Sequence, residues 1–263
     1  MSGSISFDWA AEFYDETRAL QPELAAAVTD AILHQLAQTG ADRLFEVGAG
    51  TGRIAYPLVQ RGLPVTALDI SRPMLSKFRA KLTPADAADF VLGDATRLPL
   101  RDGCAPAILV VHVLHLITDW QRAMSELHRI LAPGGVILRQ AGDNDFEALP
   151  EHRQSEAAWR GILASHGYTP RKRAGIQETN GWVRSMGGSV RTIELGTYAE
   201  PRSEAGWIEE IRERIHSNLW EIPDEIYPRV GAEYEAWARA HFGDLTVERP
   251  VNYRYTLDVW SFG

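Results

Sequence analysis

From residue 43 onward, short apolar runs alternate with amphipathic stretches. The pattern predicts strand 43–48, helix 51–61, strand 64–70, helix 72–82, strand 88–93, strand 106–112, helix 119–131 and strand 135–141. Strict strand–helix alternation needs a parallel sheet with helices on both faces, joined by right-handed crossovers. Ahead of it lie a short aromatic helix over residues 7–18 and a longer helix, Pro22–Gln38, which opens on proline and closes at Gly40. After Asp143 the rhythm breaks. Residues 151–187 read as helical, 189–199 alternate like a strand, 203–242 return to helix with interruptions at Pro223 and Pro228, and Val251–Phe262 reads as a final strand.

The most informative stretch is Leu44-Phe45-Glu46-Val47-Gly48-Ala49-Gly50-Thr51-Gly52, an apolar strand running into three glycines spaced two apart. Gly48 and Gly50 let the backbone leave the strand at unusual φ and ψ and let a ligand come close. Gly52 is expected early in the following helix, where it permits close packing on the sheet. Asp69 ends the next strand, and its two carboxylate oxygens suit a ribose diol. This is the layout of a nucleotide-type cofactor site at the C-terminal edge of a parallel sheet.

The spacing is G-x-G-x-G, whereas a dinucleotide pyrophosphate calls for G-x-G-x-x-G. Glu46, just before the turn, would repel a pyrophosphate and attract a cation. S-adenosylmethionine carries a sulfonium, an ammonium and a ribose, and no phosphate. Glu46 with Asp69 therefore matches it better than a nicotinamide dinucleotide, and a nicotinamide-dependent oxidoreductase is disfavoured.

Residues 44–140 resemble the class I S-adenosylmethionine-dependent methyltransferases, of the small-molecule type 11 group, similar to quinone-biosynthesis methyltransferases. The resemblance rests on Phe45–Arg53, Ala67-Leu68-Asp69-Ile70-Ser71 with Met74-Leu75, Gly93-Asp94-Ala95 before Leu98-Pro99-Leu100, the strand Ala107–His112 followed by Leu114-His115-Leu116, and Ile130-Leu131-Ala132-Pro133-Gly134-Gly135. It implies a doubly wound, mostly parallel, seven-stranded Rossmann-like sheet with an antiparallel edge pair, 189–199 and 251–262, and a helical cap between them. The expected domains are 1–40 as N-terminal helices closing over the cofactor, 41–145 as the cofactor-binding core, 146–250 as a cap and acceptor region including strand 189–199, and 251–263 as the last core strand.

The resemblance also implies a cofactor site made of Tyr14, Arg18, Glu46, Gly48, Ala49, Gly50, Gly52, Asp69, Ile70, Met74, Asp94, Ala95 and His112. In it Asp94 accepts from the adenine amine, the Ala95 amide donates to a ring nitrogen, and Arg18 pairs with the cofactor carboxylate. Methyl transfer from a sulfonium is an in-line displacement, so the protein chiefly aligns the acceptor and excludes water. Where the acceptor must lose a proton, His115 or His112 is the candidate base; the favoured reading is that both shape the wall of the cofactor pocket. Asp143-Asn144-Asp145 lies where metal-dependent relatives bind magnesium, but the preceding strand ends in His112 rather than a carboxylate, so no metal is expected.

Composition narrows the partners. The 263 residues carry a net charge of −8, which offers no field to attract nucleic acid. One cysteine, Cys104, rules out an internal disulfide. No signal-peptide pattern and no long apolar run occurs, so a cytoplasmic protein, monomer or homodimer, is expected. Six of the eight tryptophans lie beyond residue 150; they are expected mainly as cap core, with some lining a pocket for an aromatic or lipid-like small-molecule acceptor. A non-catalytic cofactor-binding regulator is the second reading.

Overall fold

A computed structural model describes residues 6–18, 20–144 and 149–263. The chain divides into two compact units. The first comprises residues 1–141, 173–196 and 255–263; the second comprises 142–172 and 197–254.

The sheet has seven strands in the order β3-β2-β1-β4-β5-β7-β6. They are β1 (Leu44–Val47), β2 (Val65–Asp69), β3 (Ala88–Leu92), β4 (Ala105–Val111), β5 (Leu131–Asn144), β6 (Ser189–Arg202) and β7 (Arg249–Ser261). The first five are paired in parallel, and β6 and β7 form the antiparallel edge. Successive residues of the central strands feed opposite sides. Leu44, Ala107, Leu109 and Val111 join one apolar cluster with Ile32, Leu58 and Phe78, while Phe45, Val47, Ile108 and Val110 join another with Met124, Leu127 and Trp260. This two-sided burial is why β1 and β4 read as continuous apolar runs.

The helices of the first unit are α1 (Tyr14–Arg18), α2 (Pro22–Thr39), α3 (Ala55–Gln60), α4 (Arg72–Ala80), α5 (Trp120–Ile130) and α7 (Ile176–Ser185). Those of the second are α6 (Pro150–Ser165), α8 (Glu204–Arg212), α9 (Ser217–Trp220) and α10 (Tyr227–Phe242). The second unit has its own core, in which Trp159, Ile208, Val230 and Tyr234 are buried. No described helix is long and apolar enough to cross a membrane.

Three local expectations are corrected. The helix after the glycine turn starts at Ala55, not Thr51, because Gly48, Gly50 and Gly52 all hold positive φ (79°, 56° and 77°) and no right-handed helix can run through them. Pro228 does not interrupt a helix but sits in the first turn of α10, where its missing N–H costs nothing. The strand expected over 135–141 runs from Leu131 to Asn144, so the backbone at Asp143 and Asn144 belongs to β5, while Asp145 lies outside the described residues.

Trp260 and Trp182 belong to the core beside the sheet, whereas Trp159, Trp207, Trp220 and Trp237 build the second unit. A buried polar group stands behind Trp260. Its indole donates to Asn180 Oδ1 at 2.9 Å, Asn180 donates to Asp258 Oδ2 at 3.3 Å, and Asp258 pairs with Arg139 at 3.5 Å and accepts from Thr192 at 2.6 Å.

Candidate functional site

The C-terminal ends of β2, β1 and β4 lie side by side and surround one pocket of the first unit. Strand order reverses at β1, the position where open α/β sheets leave a crevice. The glycine turn is fastened to β2: Gly48 and Ala49 donate to Leu68 O at 2.8 and 3.0 Å, and Gly50 N donates to Asp69 Oδ2 at 2.8 Å. Asp69 Oδ1 accepts from Ser71 N at 2.8 Å. Both carboxylate oxygens are thus oriented by backbone amides, each with a further lone pair for a ligand. Burial, partly offset by these amide bonds, raises the Asp69 pKa.

The glycines serve the protein's own packing as much as a ligand. A Cβ on Gly48 would overlap Val113, and one on Gly52 would overlap the Phe78 ring of α4. Gly52 therefore packs closely, as expected, but from the turn and against a helix side chain. Gly50 faces Met74, whose methyl would sit 3.2 Å from an added Cβ.

Glu46 lies beneath the turn, 2% exposed, and its Oε2 has no hydrogen-bond partner. Burial pushes its pKa up to about 8; Arg53 opposes the rise and Asp69 adds to it. A buried acid with one unsatisfied oxygen is costly unless a cation or donor completes it.

The N-terminal segment is tied to the same turn. Thr51 Oγ1 donates to Asp15 Oδ1 at 2.5 Å, Lys81 pairs with Asp15 at 2.6 Å, and Arg53 donates to the Arg18 carbonyl at 3.0 Å. Phe7 and Tyr14, edge to face at 5.8 Å, both line the pocket. Beyond β3, Asp94 Oδ1 accepts from Thr96 N and Oγ1, each at 2.9 Å, which fixes the carboxylate in its turn.

His112 follows the last residue of β4 with φ of +46°, an αL conformation uncommon for a residue with a side chain. The residue as a whole is exposed, while protein crowds its imidazole. That crowding, followed by the positive charges of Arg53, His115, Arg139 and Arg18, pulls its pKa well below the ordinary histidine range. The imidazole is neutral at pH 7. His115 sits in a short 3-10 turn, Leu114–Leu116.

Of the residues expected from sequence, Tyr14, Gly48, Gly50, Asp69, Ile70, Met74, Asp94, Ala95 and His112 line the pocket together. Arg18, Glu46, Ala49, Gly52 and His115 are outside its lining. Phe7, Val113 and Ile117 also line it and were not anticipated as site residues. Phe7 lies in the aromatic segment that hinted at a cover, but Val113 is betrayed by no spacing and is recognised only from its contact with Gly48. Among the described residues, no cluster of three His, Cys, Asp or Glu side chains could hold a metal ion. The cavity measures about 80 Å³, small beside ligand clefts of about 300 Å³ and more.

The fold has counterparts among known proteins. A model of the methyltransferase domain matches residues 45–138. Residues 45–138 are thus similar to the methyltransferase domain family. An uncharacterized methyltransferase of Mycobacterium bovis is 37% identical over 132 residues, half of either chain. A malonyl-[acyl-carrier protein] O-methyltransferase of Methylococcus capsulatus is 37% identical over 170 residues, 63% of this chain and 57% of that one. The chain thus spans about half the length of the curated relatives it matches. A solved phosphoethanolamine N-methyltransferase of Haemonchus contortus, in complex with phosphomonomethylethanolamine and S-adenosylhomocysteine, shares the fold with a TM-score of 0.51 at 15% identity, covering 96% of this chain and 56% of that one.

Proposed function

We propose that this protein transfers a methyl group from S-adenosylmethionine to a small-molecule acceptor. The observation that carries the reading is the buried Glu46, with its unsatisfied Oε2, under a glycine turn that also orients Asp69. A cationic nucleoside completes both: positive charge for the first, a ribose diol for the second. The chemistry of the donor set fits the group. When bound, S-adenosylmethionine supplies a methyl already activated by its sulfonium.

The chain's own residues then bind, orient and exclude water. Asp69 would hold the ribose, Asp94 and the Ala95 amide would hold the adenine, and Ile70 and Met74 would supply apolar contact. The Gly48–Gly52 turn, Ala49 included, would border the amino-acid portion, with Arg18 toward its carboxylate. Tyr14 covers the site. His112, neutral and facing the pocket, is suited to hydrogen-bond a ligand. Its weakened basicity makes it a poor proton store at pH 7, since a general base works best with a pKa near the operating pH. If the acceptor must lose a proton, His115 remains the second candidate.

The test is transfer of label from methyl-labelled S-adenosylmethionine into a metabolite extract, followed by mass identification of the product, alongside calorimetric titration with S-adenosylhomocysteine. Binding with a labelled product supports the reading. Binding with no labelled product across extracts would favour a regulator, and no binding would refute the donor assignment.

A further inference from the structure

The second unit contains a cavity of about 350 Å³ that the donor site does not use. Its size falls within the range of small-molecule clefts, about 300–1,000 Å³. Leu149, Val251, Trp207 and Tyr253 supply its apolar and aromatic wall, and Tyr253 is held flat by stacking on Tyr198 at 5.0 Å.

The charges on this wall are not balanced alike. Arg202 makes a two-point pair with Glu210, at 2.7 and 2.8 Å, and Glu210 also bonds His216 at 2.9 Å. Arg249 pairs with Glu151 at 3.3 Å. Each arginine thus has its own carboxylate. Glu204, the first residue of α8, has only neutral donors: Ser155 Oγ at 2.9 Å and the Tyr234 hydroxyl. No described Lys, Arg or His forms an ion pair with it. Burial, then the bond to Glu204, raises the Tyr234 pKa, so the phenol keeps its proton and acts as donor. The result is a carboxylate held in fixed orientation on a partly buried, aromatic wall, short of one positive charge. An anion entering here would face Glu204 and would find Arg202 and Arg249 already engaged by Glu210 and Glu151.

We propose that this cavity binds a small molecule carrying one ammonium group on an apolar or aromatic body, with Glu204 as counter-ion and Trp207 and Tyr253 as walls. An ammonium placed there supplies the missing charge and gains further from the face of an aromatic ring. The body fills the apolar remainder. The inference concerns binding alone and does not rest on the methyl-transfer reading.

Two probes of near-equal shape and opposite charge test it: tryptamine and indole-3-propionate, titrated calorimetrically into the full chain. Saturating S-adenosylhomocysteine in cell and syringe keeps the other cation-seeking pocket occupied. Tryptamine is expected to bind one to one, and indole-3-propionate at least about tenfold more weakly. Glu204→Gln, which keeps the size and an acceptor oxygen, is expected to weaken tryptamine about tenfold and to leave indole-3-propionate unchanged or tighter. No tryptamine binding, equal affinity for the two probes, or a folded Glu204→Gln protein that binds tryptamine like the wild type would each overturn the proposal. The two-probe comparison on the wild type stands whether or not the variant folds.

Discussion

Thr51 in the glycine turn donates to Asp15 in α1 at 2.5 Å, across 36 positions of sequence. The same carboxylate receives Lys81 at 2.6 Å. One exposed aspartate therefore joins α1 to the glycine turn and to Lys81.

Removing that joint should loosen the cover without unfolding the protein. Asp15→Ala is expected to weaken S-adenosylhomocysteine about three- to tenfold, in keeping with one charge-assisted hydrogen bond and one partly exposed ion pair. The melting temperature should move little. Calorimetric titration alongside a thermal melt checks both; unchanged affinity would show that the cover does not report on the donor.

Gly52→Ala should be strongly destabilising. The substitution places a Cβ at φ +77° and drives it into Phe78. The backbone penalty of about 1–2 kcal/mol adds to an overpacking cost of about 1–3 kcal/mol. Urea denaturation should show a loss of at least about 2 kcal/mol. A companion Phe78→Leu change should recover part of it.

Glu46 predicts an unusual pH dependence. Its pKa rises on folding from 4.5 to about 8, chiefly through burial. A raised folded-state value means that the folded form holds the proton more tightly. Its contribution is complete below pH 4.5 and is lost as pH climbs through about 8. Glu46→Gln should therefore flatten the fall in stability between those limits. A cation at this site favours the carboxylate and expels the proton, so affinity for S-adenosylmethionine should rise from pH 6 to pH 8 in the wild type only. Denaturation and titration across that range provide the check.

His112 should not act as a titrating base. Its lowered pKa keeps it neutral throughout the physiological range, so His112 should contribute no acid limb near the usual histidine value to kcat/KM for an identified acceptor. His112→Asn, which tolerates αL backbone and keeps hydrogen-bonding capacity, should retain most activity. His112→Val should lose roughly 1–2 kcal/mol of stability from strain alone. An acid limb abolished by His112→Asn would restore the histidine as base.

The strands were legible because both faces of β1 and β4 are buried, which leaves an unbroken apolar signature. The turn was legible from glycine spacing, and the acid at the end of β2 from its place after an apolar run. Helix starts were less so: Ala55 waits for three left-handed glycines, and Pro228 opens a helix that composition alone suggests it should break. Long-range polar contacts were not legible at all. Arg139 and Asp258 meet across 119 positions, and neither residue carries a local pattern that points to the other. The Glu204 cluster is hidden for the same reason, since Ser155 and Tyr234 come from separate helices.

Val113 occupies the space that a side chain at position 48 would need. The loop after β4 and the turn after β1 are therefore one mould cast in two pieces. A turn transplanted from another protein would fit here only if residue 113 were exchanged along with it. Attempts to retune the pocket should treat positions 48 and 113 as a single variable, searched together rather than one at a time.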